Sequence, residues 1–166
     1  MEAPLSELLA RYHADRAAVT EALKTPVLMW TPRQASQLQS WANTSVSSVT
    51  SQLGASTLVF ELAKSGRNAL AQGVTIGRIE NNDVVLVDDS VSRLHAILTE
   101  DATGWAITDA LSKNGTWIEN ERLAPNRLHR VFDRAHLRIG EARVEFCLAR
   151  TFLARLADTL GPARTG

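Results

Sequence analysis

The sequence reads VTIGRIENNDVVLVDDSVSRLHAILTEDATGWAITDALSKNGTWI from residue 74 to residue 118, and this stretch decides the fold. Short runs of β-branched and other apolar residues alternate in it with turn-forming clusters of Asn, Asp and Gly. Each run has the length of a strand, and no helical segment separates one run from the next. Many short strands joined by turns are typical of an antiparallel β-sandwich, so we predict an all-β fold.

The strand pattern continues on both sides of this stretch, whereas the two ends of the chain show helical spacing of apolar residues. Two prolines and many Ser and Thr residues interrupt the segment between the first helix and the strands. We therefore predict an N-terminal amphipathic helix, a connecting region, a β-sandwich, and a short C-terminal helix with a tail. Their predicted ranges are residues 1–24, 25–56, 57–150 and 151–166.

The composition limits the classes of function. Eighteen basic and eighteen acidic residues give a formal net charge of zero, whereas nucleic-acid-binding proteins usually carry an excess of Lys and Arg. Cys147 is the only cysteine, and no Cys or His spacing typical of a metal site is present. The sequence shows no secretory signal and no apolar run near the roughly 18 residues that cross a bilayer. We expect a cytoplasmic protein without cofactor or metal that binds neither nucleic acid nor membrane; its Ala-, Leu- and Arg-rich composition indicates a bacterial source.

Polar residues suited to binding phosphate recur at the predicted turns. Arg78 follows Gly77 at the end of a strand, Ser92 and Arg93 lie where a loop enters a strand, and Lys113 lies in the next turn. An arginine offers a planar fork of donors that fits phosphate oxygens, and a serine offers a short neutral donor. Phosphothreonine carries about −1.5 to −2 charges and three strong acceptor oxygens at pH 7, so this set of residues matches its chemistry.

In their order and spacing, these loops and the Asn82-Asp83 turn resemble the forkhead-associated (FHA) domain over residues 57–150. The resemblance implies an FHA-type β-sandwich that binds a phosphothreonine-containing protein, such as a Ser/Thr kinase or its substrate. It implies that Arg78 contacts the phosphate, that Ser92 donates a hydrogen bond to it, and that Asn114 hydrogen-bonds the backbone of the bound peptide.

The remaining residues of the pattern are expected to surround or support this centre. Arg93 and Lys113 would add positive charge beside the phosphopeptide. Gly77, His95 and Gly115 would hold the loops in shape without touching the ligand. Asn114-Gly115 is a turn signal in its own right, so the resemblance rests on the whole set and not on that pair.

The sequence departs from the family pattern at two positions. Lys113 stands where the family often has Thr, and a lysine is a mobile point charge whereas threonine is a short donor. Glu121 stands where the family often has Gly in a tight hairpin, which bears on turn geometry and not on the binding loops.

A hydrolase is the first alternative, because Ser92, His95 and Asp109 are the residue types of a catalytic triad. No Gly-x-Ser-x-Gly motif surrounds Ser92, and no helix follows it to supply an oxyanion hole. Side chains three residues apart at a strand entry also tend towards opposite faces. We therefore expect a binding protein and not an enzyme.

Two further alternatives concern assembly. The apolar faces of the terminal helices are compatible with a scaffold or assembly subunit that binds partners, or itself, without phosphate. The Ser- and Thr-rich segment also contains Thr44, Thr50 and Thr57. Once phosphorylated, one of these could occupy the site in cis or link two molecules, although a polar linker is the simpler interpretation.

Overall fold

A computed structural model describes residues 2–32, 57–68 and 72–161. These described residues form two compact units, one drawn from within residues 1–61 and 147–166 and the other from within residues 62–146. Thr44 and Thr50, and with them most of the predicted connecting region, lie outside the described residues.

The second unit contains a five-stranded sheet whose strands lie in the order β10-β7-β6-β4-β5. Its pairings are antiparallel except that of β4 with β5, which is parallel and aligns Ile76 with Val84. Burial alternates along the first four residues of β6, as expected for a strand with one face on the core. The five strands are β4 (Val74–Gly77), β5 (Val84–Val85), β6 (Ala96–Asp101), β7 (Gly104–Asp109) and β10 (Leu128–Arg130).

The other strands of the β-sandwich run in the order β12-β11-β8-β9. The pairs β12-β11, β11-β8 and β8-β9 are antiparallel. The ring of Trp105 in β7 packs against that of Phe146 in β12, with centroids 6.0 Å apart, so the inner faces of the two sheets share one core. These strands are β8 (Thr116–Ile118), β9 (Glu121–Arg122), β11 (His136–Ile139) and β12 (Ala142–Cys147).

The first unit has a core of its own, in which strands and helices pack together. Its strands follow the order β1-β3-β2, and both pairings are antiparallel. The buried residues of the helices, such as Leu8, Tyr12 and Phe152, join those of β2 and β3 in one apolar cluster. The elements are β1 (Glu2–Pro4), α1 (Leu5–Ala14), α2 (Arg16–Ala22), β2 (Val27–Trp30), β3 (Leu58–Glu61) and α3 (Ala149–Leu160).

The prediction of a β-sandwich with helices at both ends of the chain is confirmed, with differences in detail. The N-terminal helical segment is two helices, because the extended backbone of Asp15 ends α1 and its carboxylate accepts a hydrogen bond from the Ala18 N–H at the start of α2. Residues 27–30, assigned by the sequence to a connecting region, form the buried strand β2. In the β8-β9 hairpin the residue with positive φ is Glu119, at 54°, whereas Glu121 lies in β9.

Candidate functional site

Three loops of the second unit meet in an open groove of about 730 Å³. They are the segment that follows β4, the segment that leads into β6, and the loop between β7 and β8. Four predicted site residues line this groove: Arg78, Ser92, Arg93 and Lys113. Its other lining residues are Asn68, Ile79, Asn81, Leu94 and Leu111.

The end of β4 holds Arg78 in place through its backbone. The Arg78 N–H donates to the carbonyl of Ser92 over 3.0 Å. At the preceding residue, Gly77, an added Cβ would overlap the Arg93 carbonyl and lie 2.6 Å from Nδ2 of Asn82. Glycine is therefore required for the strand end to approach the loop this closely.

Buried Asn82 ties the same loops together beneath the groove. Its Nδ2 donates to the carbonyl of Arg93 over 2.6 Å and to that of Ile79 over 2.8 Å. The neighbouring carboxylate of Asp83 accepts hydrogen bonds from the backbone and hydroxyl of Thr75. Burial tends to raise the pKa of Asp83, but hydrogen bonds from Ser65, Thr75 and Lys64 outweigh it and hold the pKa well below its usual range.

Ser92 is bonded to all three loops. Its N–H donates to Nδ1 of His95 over 3.0 Å, and its carbonyl accepts from Arg78. Its Oγ accepts from the N–H of Lys113 over 3.0 Å. Because the hydroxyl oxygen is the acceptor in this last bond, its proton can be donated to a ligand in the groove.

His95 is completely buried and bonded through both ring nitrogens. Since Nδ1 accepts from Ser92, Nε2 carries the proton, and it donates to the Gly115 carbonyl over 2.9 Å. Burial lowers the pKa of His95, against the opposing effects of the Gly115 carbonyl and the Asp109 charge. The neutral ring therefore links the Ser92 loop to the turn before β8.

The loop between β7 and β8 is shaped by Asp109. Its carboxylate accepts from the backbone and hydroxyl of Ser112 and from the hydroxyl of Thr116. Burial tends to raise the pKa of Asp109, but these hydrogen bonds and the nearby His95 lower it overall. The sequence placed Asp109 at the start of this turn and also offered it as a triad candidate, and its observed role is that of a turn former, whose side chain bonds nearby backbone.

Asn114 is exposed and is not part of the groove lining. Its Nδ2 donates to the Ser90 carbonyl over 2.7 Å. Ser90 in turn accepts from the N–H of Glu141 through its Oγ. Ser90 therefore joins the Asn114 turn to the β11-β12 turn, a role that was not predicted from the sequence.

The charges of the groove lie at its surface. A guanidinium nitrogen of Arg78 is 3.3 Å from the carboxylate of Asp89, and the Asp89 side chain is fully exposed. Within the described part of the chain, Arg93 and Lys113 form no ion pair. The groove therefore presents three cations, one of which is paired with an exposed carboxylate that is not part of the groove lining. Asp89, like Ser90, contacts a predicted site residue but was not itself predicted from the sequence.

The described residues contain no cluster of acidic, His or Cys side chains that could hold a metal ion. No helix in the described ranges is both long and apolar enough to span a membrane.

Several known proteins are similar to part of this chain in sequence. The chain is 40% identical over 53 residues to the transcriptional regulatory protein EmbR of Mycobacterium tuberculosis, covering 32% of this chain and 14% of EmbR. It is 31% identical over 78 residues to the E3 ubiquitin-protein ligase rnf8-A of Xenopus laevis, covering 42% of this chain and 14% of the ligase. This chain thus spans about a seventh of the length of either relative.

Similar solved structures include the FHA domain of an Arabidopsis thaliana hypothetical protein, with 20% identity, a TM-score of 0.49, and coverage of 76% of this chain and 88% of that one. Another is M. tuberculosis EmbR in complex with a low-affinity phosphopeptide, with 30% identity, a TM-score of 0.44, and coverage of 54% and 21%. Residues 74–140 match the family model of the FHA domain. This stretch includes every residue of the groove except Asn68. The chain therefore carries an FHA domain.

Proposed function

We propose that this protein is a phosphothreonine-dependent binding module in Ser/Thr kinase signalling, and that its partner is a phosphorylated protein such as a kinase or a kinase substrate. The FHA domain and the charge of its groove support this proposal, and EmbR, a relative, has been seen in complex with a phosphopeptide. The proposal places the protein in the cytoplasm, where Ser/Thr kinases find ATP.

The observation that carries the proposal is the convergence of Arg78, Arg93, Lys113 and the Ser92 hydroxyl on one groove. Three cations from separate loops match a dianionic phosphate, and a hydroxyl held by Lys113 N–H supplies a short neutral donor. Hydrogen bonds to charged groups contribute about 1.5–3 kcal/mol each. After the costs of ordering, a few such bonds are consistent with micromolar affinity, about −8 kcal/mol.

Asn114 has a separate part in the proposal. One N–H of its amide holds the Ser90 carbonyl, and an amide group has a second N–H and an oxygen that can pair with a peptide backbone. Asn114 would therefore fix the register of the peptide while Arg78 and Ser92 hold the phosphate.

Binding is favoured over catalysis by the hydrogen bonds of His95. Its Nδ1 faces the N–H of Ser92, and its Nε2 faces the Gly115 carbonyl. Neither nitrogen is available to take a proton from the Ser92 hydroxyl, as a general base would have to do. The Asp109 carboxylate binds Ser112 and Thr116, so it does not orient the imidazole through a hydrogen bond.

The phosphate-independent scaffold has less support. It was motivated by the apolar faces of the terminal helices, and the buried residues of α1, α2 and α3 lie within the core of the first unit. Those buried side chains are not presented to a partner.

The test is a titration of the full chain with matched peptides that carry phosphothreonine, phosphoserine or threonine at one position. We expect binding of the phosphothreonine peptide alone, with at least a tenfold loss for Arg78→Ala, which corresponds to 1.4 kcal/mol or more. Arg127→Ala is the matched control, because Arg127 is an exposed arginine outside the groove. Binding that survives Arg78→Ala, or that ignores phosphorylation, contradicts the proposal.

A further inference from the structure

The groove is unusual in its apolar residues as well as its charges. Large hydrophobic side chains are exposed at six positions of the described chain, and three of them, Ile79, Leu94 and Leu111, line the groove that holds Arg78 and Ser92. Scattered single exposed hydrophobics need no explanation, whereas several around one concave site mark an interaction surface. Phosphate cannot make use of these side chains, so they fit a different part of the ligand.

Leu111 stands out among these residues. Its φ is 59°, in the left-handed region, where side chains other than Gly, Asn and Asp are uncommon. The other non-glycine residues with positive φ in the described ranges are polar: Glu119, Asn126 and Arg134. Leu111 is also 71% exposed. A leucine here strains the backbone and adds nothing to the core, so folding does not account for the choice of residue.

The position of Leu111 is fixed by its neighbours in the loop. Asp109 anchors the loop through the Ser112 N–H over 3.0 Å and the Ser112 hydroxyl over 2.6 Å. One residue further on, the Lys113 N–H donates to Ser92 Oγ. These three hydrogen bonds hold the chain immediately after Leu111, so its side chain is presented at a set distance from Ser92. Strained residues held in this way are common at ligand-binding sites.

We propose that Leu111, together with Ile79 and Leu94, forms an apolar subsite that selects phosphothreonine peptides with a large aliphatic side chain close to the phosphothreonine. This inference rests on the proposed function, since the subsite is defined next to the phosphate site. Leu111 is its central specificity-determining residue. Ile79 directly follows Arg78 and Leu94 directly follows Arg93, so apolar and cationic side chains come from the same loops.

The expected effect is moderate because the subsite is open. A closed pocket discriminates by about 10- to 200-fold for a single methylene, whereas an open groove removes only part of an aliphatic side chain from water. We expect about a five- to tenfold preference for Leu, Ile, Val or Met over Ala or Asp at one position flanking the phosphothreonine, up to about 1.4 kcal/mol.

The experiment is a set of peptides with fixed phosphothreonine in which each flanking position is varied in turn, titrated into the full chain. Leu111→Asn is the test variant, since Asn adopts positive φ readily and removes the apolar surface. We expect it to bind the peptides with and without the aliphatic side chain with equal affinity, and to melt at the same temperature as the natural protein or higher. Leu128→Thr is the control, because Leu128 is exposed on β10 outside the groove, and it should keep the preference.

The outcomes separate the two proposals. Phosphothreonine binding without an aliphatic preference, or a preference that persists in Leu111→Asn, overturns the apolar subsite and leaves the phosphothreonine site intact. Absence of any phosphothreonine binding, or binding unaffected by Arg78→Ala, overturns the proposed function and the subsite with it.

Discussion

Replacing His95 by Ala tests whether the buried imidazole holds the binding loops together. The substitution removes the acceptor of the Ser92 N–H and one of two donors to the Gly115 carbonyl, which still accepts from the Gly140 N–H. A buried polar group that loses its hydrogen bond costs about 1–3 kcal/mol. The Ser92 N–H is such a group, and the cavity left by a side chain with 0% exposure adds to its cost of about 1–3 kcal/mol. We expect a loss of about 3 kcal/mol, which is a large part of the roughly 5–15 kcal/mol typical of a folded domain.

The measurement is equilibrium unfolding in urea, followed by tryptophan fluorescence. Trp105, one of the four tryptophans, packs on Phe146 in the core of the same unit. Amide exchange at Ser92 gives a local reading, because its N–H loses the His95 acceptor. His136→Ala is the control, since His136 lies in the same unit with its side chain 73% exposed, and it should cost less than about 0.5 kcal/mol. A loss below about 1 kcal/mol for His95→Ala, with Ser92 exchange unchanged, would refute the bridging role.

The same variant should change the dependence of stability on pH. Burial lowers the pKa of His95 in the folded protein, whereas in the unfolded chain it stays near 6.5. Below pH 6.5 the unfolded chain therefore binds a proton that the folded chain does not. The contribution of His95 to the free energy of unfolding is complete above that pH. It falls as the pH drops, by at most about 1.4 kcal/mol per pH unit. This decrease in stability should be absent from His95→Ala. Stability that depends on carboxylates such as Asp109 is lost only as the pH falls towards 3.8, the ordinary pKa of an Asp side chain.

Two substitutions beside the groove have opposite expected effects. Asp89→Asn removes the carboxylate that competes with phosphate for Arg78. Because exposed ion pairs are weak, phosphopeptide affinity should rise only about two- to fivefold in low salt. A weaker complex would show that Asp89 helps to bind the ligand. Gly77→Ala places a methyl group against the Arg93 carbonyl and Asn82. This overpacking should lower the free energy of unfolding in urea by about 1–3 kcal/mol and weaken phosphopeptide binding. An unchanged urea midpoint would show that the loop can move aside freely.

Strands could be predicted from the sequence where composition and turns agree. Thr116–Ile118 and His136–Ile139 lie in the predicted sandwich, where apolar or β-branched residues are flanked by turn formers. Glu121–Arg122 and Leu128–Arg130 were missed, because strands of two or three mostly polar residues show no period. Val27–Trp30 was missed because flanking prolines resemble a connecting segment.

The sequence identified candidate site residues by chemistry but could not supply their geometry. Arg78 and Ser92 were singled out because they lie at predicted strand ends, and the structure brings them to the same groove. The approach of Asp89 to Arg78 spans eleven residues of loop and has no local signal. The positive φ of Leu111 could not be foreseen either, since leucine rarely adopts it.

The residues of the groove differ in how firmly they are held before a ligand binds. This difference predicts which of them lose conformational entropy on binding. The backbone and Oγ of Ser92 are held by three hydrogen bonds to three loops before any ligand arrives, so little ordering of the loops is required at that point. Arg78, Arg93 and Lys113 have long side chains at the surface, and fixing each one costs up to about 2 kcal/mol of side-chain entropy. Affinity for phosphate should therefore be limited by the cations and not by the loops. An apolar contact at Leu111, on a loop that is already fixed, would add specificity without a comparable entropic cost.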